Sequence, residues 1–496
     1  MLQALCALGV GSTGLLAACR PGGPSPQQVL DARRDGLDTR PRFLIVIGAA
    51  GGASIVDSFL AVRASESVNA AKLNTFPDGQ VQGVAGSPFR AVKYSSSKLG
   101  SIPVPVSTDQ LPFVQKHKAE MLVATTVGTS VNHVIAQKRS LTGNAAWNGR
   151  TLQECVAAQW GAAFPIPNVN MGMSGYAERG TDATLPAYAY GEIVQNPSLW
   201  PLGLDGARGL KGVPGADVLE LARATRNGLD GRSVFGQTFQ GAKALQRWNE
   251  QRTVGQPLLQ SMDLITKLNI LPDSPPTIPL TEYGLGSSAD AVKVRQVFPA
   301  FFTDPVEGQA ALAFLLLKYR VSNTVTLGPS FNVVTGGANG LASPPLAFDF
   351  SHNEHRGGQA FMWARVLGIV DKLIDLLKSE PFDTATGETL WDRTLIYMAT
   401  DFGRSRNRPD NATEFGSGHD LNNGVVLLSP LVKGNTVLGG VDPATALTYG
   451  FDPKTGAPAP GKLTSNEPDI FSGVLTALGV DTTGSGLPDA SAFKKA

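Results

Sequence analysis

Cysteine is nearly missing from this chain: three in 496 residues, Cys6, Cys19 and Cys155. That is too few to staple a protein of this length with disulfides. An excess of either charge is missing as well. Forty-two basic against 41 acidic residues leave a formal net charge of +1. Nucleic-acid binders usually carry a basic excess, so a general polyanion-binding surface is not expected. Beyond the amino terminus no apolar run reaches membrane-spanning length, which excludes a multi-span membrane protein. Histidine is scarce, at five. What the chain does have is 42% hydrophobic residues, enough to bury a large core, so a wholly disordered chain is ruled out. Fifty-six glycines and 34 prolines imply many turns and long loops. A charged fraction of 17% suits an exported or surface protein at least as well as a cytosolic one.

Residues Met1 to Cys19 carry no charge and are apolar but broken by Gly and Ser, a poor fit to a permanent membrane helix. Their end, Leu16-Ala17-Ala18-Cys19, resembles the lipobox of bacterial lipoproteins. There, small residues let a signal peptidase cut and the thiol, here Cys19, accepts a diacylglycerol. The plainer alternative is an ordinary signal peptide ending near a cysteine. The usual positive n-region is missing, which leaves the general and twin-arginine export routes both open and is consistent with a start further upstream. Residues 20–41 are rich in Pro, Gly, Gln, Asp and Arg without apolar period and read as a tether. With Cys6 and Cys19 removed or acylated, Cys155 is left, a residue type that is most often a small core side chain.

From Arg42 the pattern changes. Short β-rich runs occur at 43–47, 121–127, 323–327, 346–350, 394–400 and 424–428. Continuous apolar runs of this kind suit strands buried on both faces of a largely parallel sheet. The apolar spacing over 359–378 predicts a helix. With the runs at 346–350 and 394–400 it makes a βαβ unit, hence an α/β fold with helices on both sheet faces. Residues 200–292 read as a helical, loop-rich insertion or cap.

In open α/β sheets ligands bind beyond the carboxyl ends of the strands. Past 43–47 lie Gly51, Gly52 and Asp57, and past 121–127 lies His133. The run at 346–350 leads through Asp349 into His352 and His355, past 394–400 lie Asp401 and Arg404, and just before 424–428 sits His419. Four of the five histidines thus fall at expected strand ends, with His117 the exception. Asp57, His133, Asp349, His355, Asp401 and His419 are expected along one edge of one sheet. Asp349 with His352 or His355, joined by His419, offers one carboxylate and two imidazoles, an open ligand set for Zn²⁺ or a similar divalent ion. The bland reading is loop histidines satisfied by backbone. Asp401 could ligate metal, orient a histidine or cap a turn. Arg404 could grip an anion bidentately or close a structural salt bridge with Asp401 or Asp410. Gly51-Gly52 permits close backbone approach.

Several segments together resemble domain-of-unknown-function family 1501, exported bacterial proteins distantly related to the alkaline phosphatase and sulfatase superfamily. They are GGASIVDSF at 51–59, NHVIAQKRSLTG at 132–143, LWDRTLIYMATDFGR at 390–404 and GSGHDLNNGVVLLSPLVKGNTVLGG at 416–440. The resemblance covers roughly 42–60, 121–143 and 346–480. It implies a three-layer alkaline phosphatase-like α/β core over 42–485 and a location in the cell envelope, periplasmic or at the cell surface. The chain also departs from the superfamily's hydrolases. Nine residues before Thr142, where sulfatases carry a Cys or Ser nucleophile, stands His133. Gly48-Ala49-Ala50 replaces the Asp after the first strand, Asp401-Phe402 replaces an Asp-His pair, and Asp349 to His352 is longer than Asp-x-His. A single-metal or metal-free site is therefore expected rather than a two-metal one.

Two functions compete. One is a lipid-anchored hydrolase of phosphate or sulfate esters with one divalent metal (Zn, Mg, Ca or Mn) drawn from Asp349, His352, His355, Asp401 and His419. His133 would be its base or nucleophile, and Arg404 would hold the anion. The other is a catalytically silent member of the same fold that binds a surface glycan or a partner protein. Partners follow accordingly: an anionic small molecule or glycan, the membrane through the anchor, and no nucleic acid.

Overall fold

Six consecutive residues, FLIVIG, form strand β1 (Phe43–Gly48), and all six are buried. A run with no polar alternation can satisfy both its faces only inside a covered sheet. The computed structural model describes residues 40–94, 98–103, 108–172, 178–204, 209–250, 252–253, 256–273, 279–329, 347–461 and 467–495. The expected signal at 1–19 with its Cys19, and all of the tether but 40 and 41, lie outside the described residues.

Seven further strands join β1: β2 (Met121–Val127), β3 (Asn168–Asn170), β4 (Glu192–Ile193), β5 (Thr324–Leu327), β6 (Thr394–Ala399), β7 (Asn422–Leu428) and β8 (Thr436–Leu438). Their order is β8-β2-β7-β6-β1-β5-β3-β4. β1 lies parallel between β6 and β5, with Phe43 opposite Thr394 and Leu44 opposite Thr324. Of the eight, β7 alone runs antiparallel to its neighbours β6 and β2. This reversal matters for the site. The amino-terminal end of β7 lies at the same sheet edge as the carboxyl ends of β1, β2 and β6.

The helices that frame the sheet include α1 (Leu111–His117), α2 (His133–Gln137), α3 (Leu152–Trp160), α4 (Pro305–Lys318), α5 (His355–Ser379) and α6 (Glu467–Leu478). Leu44, Val46, Leu122, Ala124, Leu395, Tyr397, Val425 and Leu427 form one sheet face, packed on α3 and α6. Alternate strand residues face the other way. α4 packs on β5 and on α5, and nearly all the apolar residues of these two helices are buried. The result is a three-layer α/β architecture with a mostly parallel sheet. Among the described residues no helix is long and apolar enough to cross a membrane. Residues Pro201–Ala291 cluster as a separate, mostly helical unit that includes Ala216–Arg232 and Val234–Thr238.

Two expectations need correction. The run at 346–350 is not a strand: Phe348–His352 is a 3-10 turn, and residue 346 lies outside the described residues. Phe348 and Phe350 are buried, which gave the run its strand-like alternation. The strands flanking α5 in sequence are accordingly β5 and β6, with β1 between them in the sheet. Second, α5 begins at His355, four residues before the predicted 359. Glu414 accepts hydrogen bonds from the Arg356 and Gly357 N–H groups, each at 2.8 Å. It therefore satisfies first-turn donors that the N-cap residue, Glu354, does not cap with its own side chain.

Candidate functional site

The turn after β1 must pass through Gly51 and Gly52, at φ of 91° and 83°. A Cβ on Gly51 would lie 2.1 Å from the Asp349 nitrogen, and one on Gly52 would lie 2.5 Å from Arg404 Nε. Only glycine fits both the dihedral and the space. The bare backbone then donates to Asp401, which is 1% exposed just beyond β6. Asp401 Oδ1 accepts from Gly51 N (3.1 Å), Gly52 N (2.8 Å) and the Thr400 hydroxyl (2.9 Å). Its Oδ2 is 2.7 Å from His133 Nδ1. Asp401 is thus a rigid seat for one imidazole.

His133 opens α2, whose start is capped by the Asn132 side chain accepting from Ile135 N. Its Nε2 lies 3.4 Å from Asp349 Oδ1. Burial works against its protonation, but hydrogen bonds to Asp349 and Asp401 and their charges outweigh it and raise the imidazole to about 9. Asp349 moves the other way: although burial opposes ionisation, His133 and Arg404 hold its carboxyl at about 2.

His419 pairs with Arg404 across a short antiparallel ladder, 403–404 with 419–420. Its Nδ1 is 2.9 Å from the Val131 carbonyl, which can only accept, so the proton sits on Nδ1 and Nε2 presents a lone pair. That Nε2 is 4.0 Å from Asp349 Oδ1 and 2.8 Å from His352 Nε2. His352 Nε2 is in turn 3.5 Å from Asp349 Oδ1. Burial lowers both His352 and His419, and the Arg404 charge adds to it, so both rings favour the neutral state that metals bind.

His133, Asp349 and His419 each offer one donor atom, all within 4.8 Å of one another. Metal–nitrogen and metal–oxygen bonds of about 2.1 Å in a tetrahedron put donors roughly 3.4 Å apart. The separations of 3.4 and 4.0 Å from Asp349 Oδ1 fit that requirement. The 2.8 Å contact between His352 and His419 is instead a hydrogen bond: with its own proton on Nδ1, His419 Nε2 accepts from His352 Nε2–H, a bond that a metal on His419 would replace.

His355 and Asp57 do not join this set, which corrects their expected place. Both are 0% exposed, and His355 Nε2 is 3.0 Å from Asp57 Oδ2. Asn74 Nδ2 donates to the same oxygen at 2.8 Å, and Arg356 Nη1 is 3.6 Å from Oδ1. This is a buried ionic knot fastening the turn after β1 to the start of α5. Asp401 is likewise a holder of His133, rather than a member of the three-donor set. The anion grip read for Arg404 does not match its surroundings either. Its side chain is buried, and its donors go to the Gly51 and Ser417 carbonyls and, at 2.8 Å, to Asp349 Oδ1. Arg404 makes a structural salt bridge instead, with Asp349 rather than the expected Asp401 or Asp410. His133 belongs to the donor set, a role the sequence did not suggest. Gln359, which bonds Ser54 N and the Gly52 carbonyl and so braces the glycine turn, carried no sequence signal.

The chain matches no protein-family model, that of family 1501 included, and no curated protein is similar to it in sequence. Among solved structures it is similar to Ps i-CgsB, at 12% identity and a TM-score of 0.27, over 90% of this chain and 75% of that one. The same holds for Ps i-CgsB in complex with k-i-k-neocarrahexaose, at 12% identity and a TM-score of 0.27 over 91% and 75%. A likeness of this size carries no information about the site.

Proposed function

We propose that this protein is an extracytoplasmic hydrolase of phosphate or sulfate esters whose site holds one divalent metal through His133, Asp349 and His419. The observation that carries the reading is the convergence of those three donor atoms at the carboxyl edge of the sheet. A bound divalent ion supplies Lewis-acid polarisation of an ester oxygen or an acidified water. The chain's own groups do the rest. Asp401 fixes His133 with Nδ1 protonated and Nε2 turned inward, as carboxylates behind metal-binding histidines do. Arg404 steadies Asp349 and offsets its charge. His352, the most exposed of the three site histidines, is placed to take or give a proton at the reacting group. His133 is not a nucleophile in this reading, because both its ring nitrogens face carboxylates.

A catalytically silent binding protein is the second reading, and one observation favours it. With His133 protonated between Asp349 and Asp401, and Arg404 on Asp349, the cluster closes its own hydrogen bonds. Elemental analysis of the full chain purified without chelator decides between them. About one divalent ion per chain, with hydrolysis in a screen of phosphate and sulfate esters, is the expected result. A metal-free, inactive protein would leave the silent reading standing.

Metal uptake should depend on pH in a defined direction. Below about 9, binding must displace the His133 proton, so apparent affinity should rise on the order of tenfold per pH unit and level off above that value. His352 and His419, already lowered, add little above neutrality. Competition against a chromophoric chelator between neutral and alkaline pH measures the slope, and a flat profile would remove His133 from the ligand set.

The lipid anchor belongs to the same proposal, resting on Leu16-Ala17-Ala18-Cys19 and the tether behind it. Expressed with its export signal, the protein should incorporate radioactive palmitate and fractionate with membranes. Equal labelling of Cys19→Ala would refute the anchor.

A further inference from the structure

The helix Ala216–Arg232, in the unit formed by Pro201–Ala291, has no buried residue. At 100° per residue, Val218, Leu221, Ala222, Thr225 and Leu229 fall within one stripe about 100° wide, the usual signature of a core-facing surface. Here that stripe faces outward, with Val218 52%, Leu221 41% and Leu229 58% exposed. The half-buried side carries the polar residues Arg223, Arg226, Asn227 and Asp230 beside Leu219, Ala224 and Gly228. Arg226 bonds Gln256 at 3.4 Å, and Asp230 pairs with Arg252 at 2.6 Å. The helix is therefore held by that mixed face and presents its apolar stripe.

We propose that this face is a homodimer contact, in which the helix packs antiparallel on the same helix of a second copy about a two-fold axis at Thr225. Three features select that occupant. Val218, Ala222, Thr225 and Leu229 repeat at spacings of four, three and four, the seam a partner helix takes up knobs-into-holes. Charge at the exposed positions of the helix is asymmetric, with Asp217 and Glu220 near its start and Arg232 at its end, whereas Arg223, Arg226 and Asp230 are half-buried. Antiparallel self-pairing sets Asp217 of one copy beside Arg232 of the other, whereas parallel pairing would stack Arg232 on Arg232. Finally, exposed apolar residues flank both ends, Val213 before the helix and Val234 and Phe235 after it. A 17-residue helix is only about 25 Å long, so a stable contact needs those flanks to lengthen the seam.

The test uses the full chain in a Cys6→Ser, Cys19→Ser background, which leaves the buried Cys155 as the native thiol. Thr225→Cys should give a disulfide-linked dimer under mild oxidation, because position 225 lies on the axis. Val218→Cys should not, because seven residues from the axis leave the two thiols about 20 Å apart along it. Sedimentation should show a concentration-dependent dimer that Leu229→Glu weakens by about tenfold or more. Three results would overturn the proposal. One is a chain that stays monomeric throughout the micromolar range, and another is Val218→Cys cross-linking as well as Thr225→Cys. The third is a monomer that binds phosphatidylglycerol–phosphatidylethanolamine vesicles through Leu229, which would make the face a membrane surface.

Discussion

Asp349→Ala should leave the purified protein folded and well below one equivalent of bound metal, and His419→Ala should do the same. Asp349 Oδ1 lies within 4 Å of the Nε2 atoms of His133, His352 and His419 together. Without it the remaining candidate donors are neutral or protonated imidazoles beside a buried Arg404, and a divalent ion would meet net positive charge. Folding should survive, because Arg404 keeps the Gly51 and Ser417 carbonyls and Asp349 sits on an edge turn rather than in the sheet. Asp401→Asn gives a graded version of the same experiment. Its amide would offer an N–H to His133 Nδ1 if the oxygen stays with the glycine N–H groups, favouring the tautomer whose proton occupies Nε2. A loss of about 10–100-fold in metal affinity is expected, the usual scale for a partner behind a metal-binding histidine. His117→Ala should keep its metal, but it is not an innocuous control. His117 is fully buried and lies 2.7 Å from Asp371, so that variant should lose stability. Asp375→Ala, on an exposed pair with Lys116, is the cleaner comparison. Full metal occupancy in Asp349→Ala would refute the site.

How far the sequence reached can be seen at particular residues. FLIVI and NTVTL announced β1 and β5 because a strand covered on both faces has no polar alternation to disguise it. That His419 lies at the ligand edge was also legible, although it precedes its strand where the others follow theirs. The reason, antiparallel β7, was not. The choice between His352 and His355 was beyond sequence reasoning. Three residues apart, they straddle the break between the 3-10 turn and α5, and this sends one ring to the site and the other into the core. The role of His133 was hidden for a different reason. Its orienting partner Asp401 is 268 residues away, and only the ends of β2 and β6, one strand apart in the sheet, bring them into contact. Arg404 looked like an anion grip because a strand-end arginine often is one. The glycine turn and the Ser417 carbonyl that consume its donors are set by tertiary packing.

The largest loss of stability is expected at Asp57, a residue that takes no direct part in the proposed chemistry. Its carboxylate is fully buried and faces His355, Arg356 and Asn74, and the Tyr94 hydroxyl and the Gln110 amide donate to its backbone carbonyl. Asp57→Ala would leave the Arg356 cation buried over the Phe76 ring without its anion. Removing one partner of a buried pair typically costs about 3–5 kcal/mol, far more than a surface pair. The pH dependence gives an independent signature. Burial alone would raise the Asp57 carboxyl, but His355 and Arg356 outweigh it and hold it at about 2, against an ordinary value of 3.8. A folded-state value below the unfolded one means that the contribution is fully present above the unfolded value and is lost as pH falls toward 2. The shift corresponds to stability on the order of 2 kcal/mol. Urea unfolding at pH 7 and near pH 3 should therefore show wild type losing stability on acidification. Asp57→Asn, which keeps the shape and loses the charge, should start lower and fall less steeply. Equal acid sensitivity in the two proteins would show that the knot between the β1 turn and α5 is held by packing instead of charge.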